Sequence, residues 1–524
     1  MAANNTAPFC SDASTSGYGD SSDYLYDYSI DLSPVLQRFN LLLRGYDLPV
    51  APEPRTHCEL GCGHGISLNI HAAASHDAYV GVDFNPTLTR TSIQLAEVSQ
   101  ARVRVVTSSF SDLLGRHDLP MFDTISAQYV WSWIDDPSRA AVIEFVKRHL
   151  KPGGSFYVSY QCSPAWDPIR HFRTLLAIFD RSAPASADAV QREGAITRFL
   201  SEFFATTAQT AATLDAMRNF FAWMKSADRH TRAHLYQNKN WKCFSLTDVA
   251  YRMKSADLEY IGTGSVSDLV DGSKLAEDAR KLLASVDSVS DRDQLYDLLI
   301  NRSFRQDVYL RAPQRLSDEE RQERLLAYRV ALIKLVSPAE RVSPEALSPK
   351  VSSVDVDAQL CQALAISEGH VATLATLMAH MTGVTFDDVI EATMRLMSQG
   401  IVVPCGDDIV DERVASQCKR LNSTLCEHAL FREDARALVS PVTGSGLSVG
   451  RFSQILLHAR DKGARSVDEY ERVLATVLAE RGEHLAKDGV LLDDQEAQKE
   501  RRAIAENFAQ TQLPLLQSLQ VAFV

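Results

Sequence analysis

The sequence predicts an α/β fold in which a doubly wound parallel sheet is followed by further, mostly helical regions. Short apolar segments alternate with helical segments between Thr56 and Tyr160, which is typical of repeated strand–helix–strand units. The first apolar segment ends in three glycines, and the second ends in Asp83. In such sheets ligands bind at the carboxyl ends of the strands. We therefore expect a ligand site along that edge.

Composition indicates an ordinary globular protein. The 524 residues, of which 45% are hydrophobic and 23% charged, are enough for roughly two to four domains. The net charge of -13 argues against broad binding to nucleic acids or anionic membranes. No apolar run reaches the ~18 residues of a membrane span, and the first basic residue is Arg38, so no secretory signal is expected. The nine scattered cysteines are typical of reduced thiols in the cytoplasm, and no metal-ligand spacing is present.

The first apolar segment, residues 56–60, predicts a buried strand, and a helix is expected from about residue 66. Between them, Gly61, Gly63 and Gly65 occupy alternate positions. This suits a backbone that turns sharply with positive φ and lets a ligand approach without Cβ atoms. A purely structural strand–helix turn is the alternative explanation of the same glycines.

The second apolar segment, residues 78–83, ends in an acid that lies 22 positions after Gly61. That spacing matches a unit in which the acid, Asp83, accepts hydrogen bonds from the ribose hydroxyls of a nucleoside. Glu59 directly precedes the turn, where a carboxylate would repel the pyrophosphate of a dinucleotide. A carboxylate at this place suits a cation instead, such as the sulfonium and α-amino groups of S-adenosylmethionine.

Three further strands are expected. Residues 103–107 predict the third, 122–126 the fourth and 155–160 the fifth. A Lys-Pro-Gly-Gly sequence at 151–154 is expected to end the helix before the fifth strand. The segment 258–262 is expected to complete the sheet.

These motifs resemble class I S-adenosylmethionine-dependent methyltransferases. They resemble more closely the bacterial methyltransferases that carry a methyltransferase regulatory domain, which include rickettsial-type protein lysine methyltransferases that modify an outer-membrane protein. The matching stretches are Glu-Leu-Gly-Cys-Gly-His-Gly at 59–65, Val-Asp-Phe-Asn-Pro at 82–86, Trp-Ser-Trp at 131–133, Lys-Pro-Gly-Gly at 151–154, and the longer stretches 301–311 and 438–446. The chain departs from the family pattern at Gln128, Gln161 and Ala165, where members tend to have His, Asn and Gly.

The resemblance implies a Rossmann-like sheet that binds S-adenosyl-L-methionine as cofactor. The residues predicted to bind it are Glu59, Gly61, Gly63, Asp83, Phe84, Ser109, Phe110, Gln128 and Tyr129. The acid and glycines of the turn would surround the methionine moiety. Ser109 and Phe110, which follow the third strand, would hold the adenine. No metal is required for methyl transfer, and none is expected.

Aromatic residues after the fourth and fifth strands are the expected acceptor site. The residues predicted to act in catalysis are Tyr160, Trp166, Trp133 and Gln128. Their ring faces and polar groups would position an acceptor beside the cofactor, and aromatic rings also attract cations. The alternative is that Trp131 and Trp133 anchor the core of the following helix.

The predicted function is methyl transfer to a lysine amine of a protein, for which an outer-membrane or surface protein is one candidate. A small-molecule methyltransferase with a regulatory tail is the first alternative. A non-catalytic cofactor-binding regulatory protein is the second. The sequence leaves the acceptor and the oligomeric state open.

The expected domain organisation has five parts. They are a disordered tail over 1–22, a methyltransferase domain over 23–275 with a helical insertion or lid over 166–235, a helical regulatory or linker region over 276–345, a winged-helix-like domain over 346–410 and a helical domain over 411–524. Tyr24, Tyr26 and Tyr28 alternate in an N-terminal arm, which either covers the cofactor or packs on the domain.

The winged-helix-like segment invites a comparison with DNA-binding proteins. A DNA-binding version would carry basic residues on its second helix to neutralise phosphates. Residues 385–398 instead contain three acidic residues and a single arginine. We therefore expect a packing or protein-docking module and no nucleic-acid partner.

Overall fold

A seven-stranded mixed sheet forms the centre of the described protein, with the strand order β3-β2-β1-β4-β5-β7-β6. The computed structural model describes residues 26–49, 54–182, 189–206, 212–226, 238, 240–271, 275–334, 353–406, 410–432, 434, 436–487 and 490–522. The strands are β1 (Thr56–Leu60), β2 (Ala78–Asp83), β3 (Val103–Thr107), β4 (Phe122–Ala127), β5 (Leu150–Gln161), β6 (Leu258–Thr263) and β7 (Phe304–Arg311). Neighbouring strands are parallel except where β7 pairs with β5 and β6. The predicted doubly wound sheet is therefore present, with one reversed strand.

β1 and β4 lie near the centre of the sheet, and nearly all of their side chains are buried. Burial of successive side chains means that both faces of these strands are covered, which is typical of parallel strands. Cys58 on β1 pairs in register with Val80 on β2 and with Ile125 on β4. The carboxyl ends of β1, β2 and β4 therefore meet along one edge.

One helix precedes β1 and four connect the first five strands, and all except the one that begins at Ile66 start at a residue whose side chain caps the first turn. They are α1 (Pro34–Leu43), α2 (Ile66–Ala73), α3 (Pro86–Ser99), α4 (Phe110–Leu113) and α5 (Asp136–His149). The Asn85 side chain accepts a hydrogen bond from the N–H of Thr87, and Pro86 occupies the first helical position. These two residues therefore fix the start of α3.

β5 begins earlier than expected. The segment 151–154 was predicted to end the preceding helix, but it lies within β5. Phe122 on β4 pairs with Leu150, whereas Thr124 pairs with Ser155, so the intervening residues form an irregular extra length of strand. Gly153 has a φ of 78°, which explains why glycine occurs in this distortion.

The structure corrects the expected end of the sheet. β6 was expected to complete it, and the methyltransferase domain was expected to end at residue 275. β6 is instead an outer strand, and β7 lies between β5 and β6. Three helices, Val266–Asp271, Glu277–Ala284 and Val289–Ile300, connect β6 to β7. The sheet therefore extends to Arg311, because the chain returns through these helices and pairs antiparallel with both neighbours.

Three helices follow β5, as expected for the insertion. They are α6 (Asp167–Ser182), α7 (Ala189–Thr206) and α8 (Ala212–Ser226). They share an apolar core that includes Phe172, Leu200, Phe221 and Met224. The helix Leu246–Met253 then leads back to β6. Residues 183–188, 207–211 and 227–235 of the predicted insertion lie outside the described part of the chain.

A small antiparallel sheet follows β7. Its strands are β8 (Arg329–Leu332), β9 (Val371–Thr373) and β10 (Val402–Pro404), in the order β10-β8-β9, and its helices are Ser353–Ile366, Leu374–His380 and Phe386–Ser398. The helix Asp318–Ala327 precedes β8. Phe39 and Leu42 of α1 belong to the same apolar core, so this region packs against the start of the methyltransferase domain. Its first strand lies before the boundary predicted at 346, and the winged-helix assignment stays a prediction.

The remaining region is mostly helical, as predicted. Its helices are Glu412–His428, Arg451–Asp461, Val467–Arg481, Asp494–Asn507 and Leu513–Ser518, and its strands are β11 (Ala437–Ser440), β12 (Ser445–Ser448), β13 (Ala486–Lys487) and β14 (Val490–Leu491). Its core continues into Ile66 and Ile70 of α2 and Leu95 of α3. This C-terminal region therefore packs directly on the helices that follow the glycine turn and Asp83.

Two expectations concern what surrounds the fold. No helix among the described residues is long and apolar enough to cross a membrane. The predicted disordered tail, residues 1–22, and Tyr24 lie outside the described residues. Tyr26 and Tyr28 of the predicted arm lie within them.

Candidate active site

The glycine turn joins β1 to α2 in a conformation that favours glycine. Gly61, Gly63 and Gly65 have φ angles of 76°, 54° and 67°. A Cβ atom on Gly61 would lie 2.4 Å from Cγ2 of Val130, and one on Gly65 would lie 1.9 Å from Oγ of Ser92. The close approach of these side chains therefore excludes larger residues at both positions.

Asp83 holds the glycine turn in place from the end of β2. Its carboxylate accepts hydrogen bonds from the backbone N–H of Gly63 at 3.0 Å and from that of Asn85 at 2.9 Å. Burial raises the pKa of Asp83, and these N–H donors oppose that effect. A carboxylate can accept about four hydrogen bonds, so capacity remains for ribose hydroxyls. Phe84 follows and is half-buried.

Glu59 lies at the end of β1, with only 9% of its surface exposed. Burial, together with the charge of Asp83, raises the pKa of Glu59 to about 8. No basic side chain among the described residues pairs with either carboxylate. A buried acid without a cation is costly unless it is protonated or meets a positively charged ligand.

The end of β3 is shaped by a helix cap. Oγ of Ser109 accepts a hydrogen bond from the N–H of Asp112 at 3.1 Å and donates to its carboxylate at 2.7 Å. Phe110 is half-buried and packs against the core of the sheet. Both residues lie at the carboxyl edge of the sheet, as predicted, and their contact with adenine stays a prediction.

Gln128 and Tyr129 follow the end of β4. Oε1 of Gln128 accepts a hydrogen bond from the hydroxyl of Tyr157 at 2.6 Å, and its Nε2 donates to Oγ of Ser29 at 3.4 Å. Tyr129 has a φ of 54° and is 50% exposed. Its ring stacks on that of Phe304, with 5.2 Å between the centroids. This aromatic pair forms an open rim at the edge of the sheet.

The structure does not place the other predicted acceptor residues on that rim. Tyr160 is 1% exposed, and its hydroxyl donates to the buried carboxylate of Asp307. Trp133 and Trp166 pack with Trp241 in the core of the insertion. Tyr160 and Trp133 are thus buried in protein cores, and Trp166 is half-buried against one, whereas the prediction places them on an acceptor channel. Their role in catalysis stays a prediction.

Trp131 is fully buried in the core of the sheet. The alternative that Trp131 and Trp133 are core anchors agrees with the structure. Side chains alternate along a strand, so Tyr157 and Tyr160 of β5 point to opposite faces. That alternation was a signal in the sequence that could have identified Tyr157, rather than Tyr160, as the partner of Gln128.

The N-terminal arm, residues 26–33, also reaches this edge. The N–H of Ser29 donates to Oγ of Ser67 on α2 at 2.9 Å. The carboxylate of Asp31 accepts a hydrogen bond from Nε2 of Gln306 on β7 at 2.5 Å. Sequence reasoning missed Asp31 and Gln306, since Asp31 belongs to none of the motifs and Gln306, although part of the matching stretch 301–311, is distant from it in the chain.

The tyrosines of the arm contact the C-terminal region. The hydroxyl of Tyr26 lies 2.6 Å from Nδ1 of His428, and the ring of Tyr26 lies against that of His64 in the glycine turn. The hydroxyl of Tyr28 lies 2.9 Å from Oγ of Ser445 and accepts from the N–H of Gly446 at 3.0 Å. The two tyrosines therefore pack between protein surfaces, which was one of the two predicted alternatives.

This geometry fits S-adenosylmethionine. The turn presents the backbone of three glycines, and Glu59 and Asp83 supply two buried carboxylates without basic partners among the described residues. Within the described residues, no group of three or more histidine, cysteine or acidic side chains is arranged to hold a metal ion. The strand order and these residues together define a class I S-adenosylmethionine-dependent methyltransferase.

Comparison with protein families agrees with that class. Residues 35–246 match the family described as a methyltransferase domain, and residues 228–311 match the predicted methyltransferase regulatory domain. The two matches together cover residues 35–311, so the chain is similar to methyltransferases that carry this regulatory domain. The second match ends at the last residue of β7, so it includes two strands of the central sheet.

Relatives are similar along most or part of the chain. An uncharacterized protein of Synechocystis sp., sll1526, is 26% identical over 511 residues, which cover 97% of this chain and 99% of that protein. An uncharacterized protein of Rickettsia prowazekii, RP789, is 23% identical over 263 residues, which cover 47% of this chain and 44% of that protein.

Among solved structures, PKMT2 from Rickettsia typhi in complex with AdoHcy superimposes with a TM-score of 0.67 at 16% identity. The superposition covers 95% of this chain and 99% of PKMT2. The likeness shows that the two proteins share a fold, and the shared part includes the C-terminal region.

Proposed function

We propose that this methyltransferase transfers the methyl group to the amine of a lysine side chain on a protein. The observation that carries the proposal is the acidic and aromatic character of the rim beside the cofactor edge. Asp27 and Asp31 both lie close enough to Tyr129 for their charges to raise the pKa of its hydroxyl, with burial as the largest cause. Such a rim attracts a cationic side chain and repels an anionic one.

The residues of the chain would divide the work between donor and acceptor. Glu59 would face the cationic methionine end of the cofactor, and Asp83 would accept hydrogen bonds from its ribose. When bound, S-adenosylmethionine supplies a methyl group on a sulfonium. A neutral amine can take this methyl group, and S-adenosylhomocysteine is the leaving group. The protein therefore has to align the two reactants and remove one proton from the acceptor ammonium. The exposed Tyr129 ring would hold the aliphatic part of the acceptor.

The shared fold with PKMT2 supports a protein acceptor. The likeness extends through the C-terminal region, which makes up more of the chain than a small-molecule methyltransferase requires. An outer-membrane or surface protein is a suitable acceptor class within this proposal. A small-molecule amine is the second candidate, because the same acidic rim would also bind a free cationic amine.

Acceptor size separates these candidates. The full-length protein would be incubated with methyl-labelled S-adenosylmethionine and a bacterial cell extract, which is then resolved into protein and small-molecule fractions. We expect label in the protein fraction and recovery of methylated lysine after hydrolysis. Asp83→Ala should lose both labelling and cofactor affinity, since its contacts are typically worth about 1.5–3 kcal/mol.

The controls define what would contradict the proposal. Asp287→Asn removes an exposed acid far from the cofactor edge in sequence and should label normally. Label confined to small molecules would replace the proposal by the second candidate. Cofactor binding without labelling of either fraction would indicate a non-catalytic regulatory protein.

A further inference from the structure

Three carboxylates at the carboxyl edge of the sheet lack a basic partner among the described residues. They are Glu59 near the end of β1, Asp83 at the end of β2 and Asp31 on the N-terminal arm. The buried carboxylates elsewhere in the described chain are paired with bases: Asp123 with Lys151, Asp297 with Arg302 and Arg305, and Asp307 with Arg305. Since unpaired buried charge is costly, the edge is built to receive positive charge from ligands.

Two of the three carboxylates are already assigned to the cofactor by the class of the protein. Asp31 has no such assignment, and it lies on a different element. It belongs to a single 3-10 turn, Ile30–Leu32, directly before α1. Asp31 would therefore be paired by a cation other than the cofactor. The methyl acceptor is the other ligand of this reaction, and an amine acceptor carries a positive charge before it loses its proton.

Hydrogen bonds hold Asp31 beside the ends of β4 and β7. Its Oδ2 accepts from Nε2 of Gln306 at 2.5 Å, and its backbone oxygen accepts from Nε2 of Gln37 at 3.0 Å. Two residues earlier, Ser29 contacts Gln128, which follows β4. Gln306 pairs in register with Ser159 near the end of β5. These contacts hold Asp31 at the edge of the sheet where β4 ends and the antiparallel β7 begins.

The groups that face Asp31 are acidic or neutral. Asp268, from the helix after β6, raises the pKa of Asp31 in the same direction as burial, and the Gln306 hydrogen bond opposes both. The hydroxyls of Tyr28, Tyr129 and Tyr157 also lie within its electrostatic reach. Asp268 is itself paired with Arg302 at 2.8 Å, so Asp31 is the carboxylate that remains free to meet a cation.

We propose that Asp31 binds the ammonium group of the acceptor and accepts the proton that the amine must lose. The proposal rests on the proposed function, an amine acceptor. In the step, an N–H bond of the ammonium breaks, an O–H bond forms on the Asp31 carboxylate, and the electron pair stays on nitrogen. The nitrogen then forms a bond to the transferred methyl carbon while the carbon–sulfur bond breaks and its electron pair goes to sulfur. The proton on Asp31, which is half-buried, leaves to solvent.

The elevated pKa of Asp31 suits this role. An aqueous lysine ammonium has a pKa of about 10.4, far above that of an ordinary carboxyl group. Burial raises the pKa of Asp31, and desolvation lowers that of an ammonium group, because both effects disfavour the charged form. The difference between the two pKa values therefore narrows. A proton acceptor works best when its pKa approaches that of the donor and the working pH.

The test uses the full-length protein and the variant Asp31→Asn, which keeps the shape and the oxygen that accepts from Gln306. Turnover of a lysine-containing peptide would be measured from pH 6 to 10. We expect kcat/KM to fall at least 100-fold near pH 7 and to recover about tenfold per pH unit as the amine loses its proton in solution. Affinity for S-adenosylmethionine should stay within about twofold.

A binding measurement gives a readout independent of turnover. The probe is Nα-acetyl-lysine amide, titrated into protein saturated with S-adenosylhomocysteine, with the norleucine counterpart as a neutral control. The wild type should prefer the charged probe at least tenfold, and Asp31→Asn should lose that preference. Asp287→Asn is the matched acidic control and should behave as the wild type.

The outcomes separate the inference from the function on which it rests. An unchanged pH profile and an unchanged probe preference in Asp31→Asn would overturn the role of Asp31 while leaving amine methylation intact. A wild type that methylates no amine would overturn both. Should Asp31→Asn fail to fold, Asp31→Glu keeps the charge one methylene further out. It should then reduce turnover while retaining the wild-type pH profile and probe preference, and loss of either would contradict the proposal.

Discussion

Glu59 shows how burial and a neighbouring charge act on one residue. Burial and Asp83 raise its pKa to about 8, against an ordinary value near 4.5. Between these values the folded protein binds more protons than the unfolded chain, so this residue makes stability fall as the pH rises. The effect is complete above the folded pKa, and a bound cation would reverse it by favouring the carboxylate.

The first prediction concerns this linkage. Glu59→Gln should flatten the pH dependence of unfolding free energy between about pH 5 and 8, where one group contributes a slope approaching 1.4 kcal/mol per pH unit at most. The measurement is denaturant unfolding of the ligand-free protein at several pH values. If the unfolding free energy of wild type and variant changed with pH by the same slope, folding would not raise the pKa of Glu59.

The second prediction concerns Tyr160. Its hydroxyl donates to Asp307, whose pKa burial raises to about 6 against the opposing charge of Arg305. Tyr160→Phe removes a donor from a buried carboxylate and should cost about 1–3 kcal/mol of unfolding free energy. Cofactor affinity should not change.

Tyr251→Phe is the matched control, since Tyr251 is 77% exposed and should tolerate the change. Both variants would be compared by denaturant unfolding and by calorimetric titration with S-adenosylmethionine. A Tyr160→Phe variant of normal stability that has lost turnover would return this residue to the acceptor site.

Residues of the site were predictable where the determining contacts are local. The three glycines and Asp83 belong to one strand–helix–strand unit, so their spacing alone indicates their placement. Asp31 was not predictable, because its partner Gln306 lies 275 positions away. Trp133 and Trp166 were misplaced since chain position near a strand end does not show whether a ring faces a ligand or a core.

At the scale of elements, β7 shows the same limit. The apolar segments of β1 to β5 predict strands because they alternate regularly with helical segments along the chain. β7 carries the charged residues Arg305 and Asp307 at buried positions, where their ion pair is satisfied within the protein. β7 follows three helices and carries charged residues, so it does not continue the regular alternation of apolar strands and helices. Only the structure shows that it lies between β5 and β6.

The third prediction concerns the helix Phe386–Ser398. Its exposed acidic residues include Asp387 and Glu391, whereas Arg395 is engaged with Asp357 at 2.7 Å. We expect no salt-dependent retention of the full-length protein on duplex DNA near physiological ionic strength. Tight binding with a steep dependence on salt would show that another surface neutralises phosphates.

At the scale of the whole molecule, the C-terminal region and the cofactor helices share one core. Ile70 of α2 is 1% exposed and belongs to the cluster that includes Leu421 and Leu447. The fold class of each part was predictable from periodicity. The association of these parts was not predictable. The sequence of α2 shows that the helix has apolar residues, but it does not show whether they pack on the sheet or on another region.

The fourth prediction tests this shared core. Ile70→Ala should cost about 2–5 kcal/mol, as is usual for large-to-small changes in cores. Hydrogen exchange should quicken in the β11–β12 hairpin as well as in α2, because the two are buried against each other. Val490→Ala, at a 67% exposed position, is the control. Exchange that changes in α2 alone would show that the two parts open independently.

The contacts of the N-terminal arm have a consequence for biosynthesis. Tyr26 and Tyr28 are held by His428 and Ser445, which lie 402 and 417 positions later. The ribosome completes the glycine turn and the first five strands long before it adds these residues. A growing chain therefore assembles most of its donor edge while Asp31 still lacks the anchors of its arm. Methyl transfer should begin only after the C-terminal region has been made and has docked.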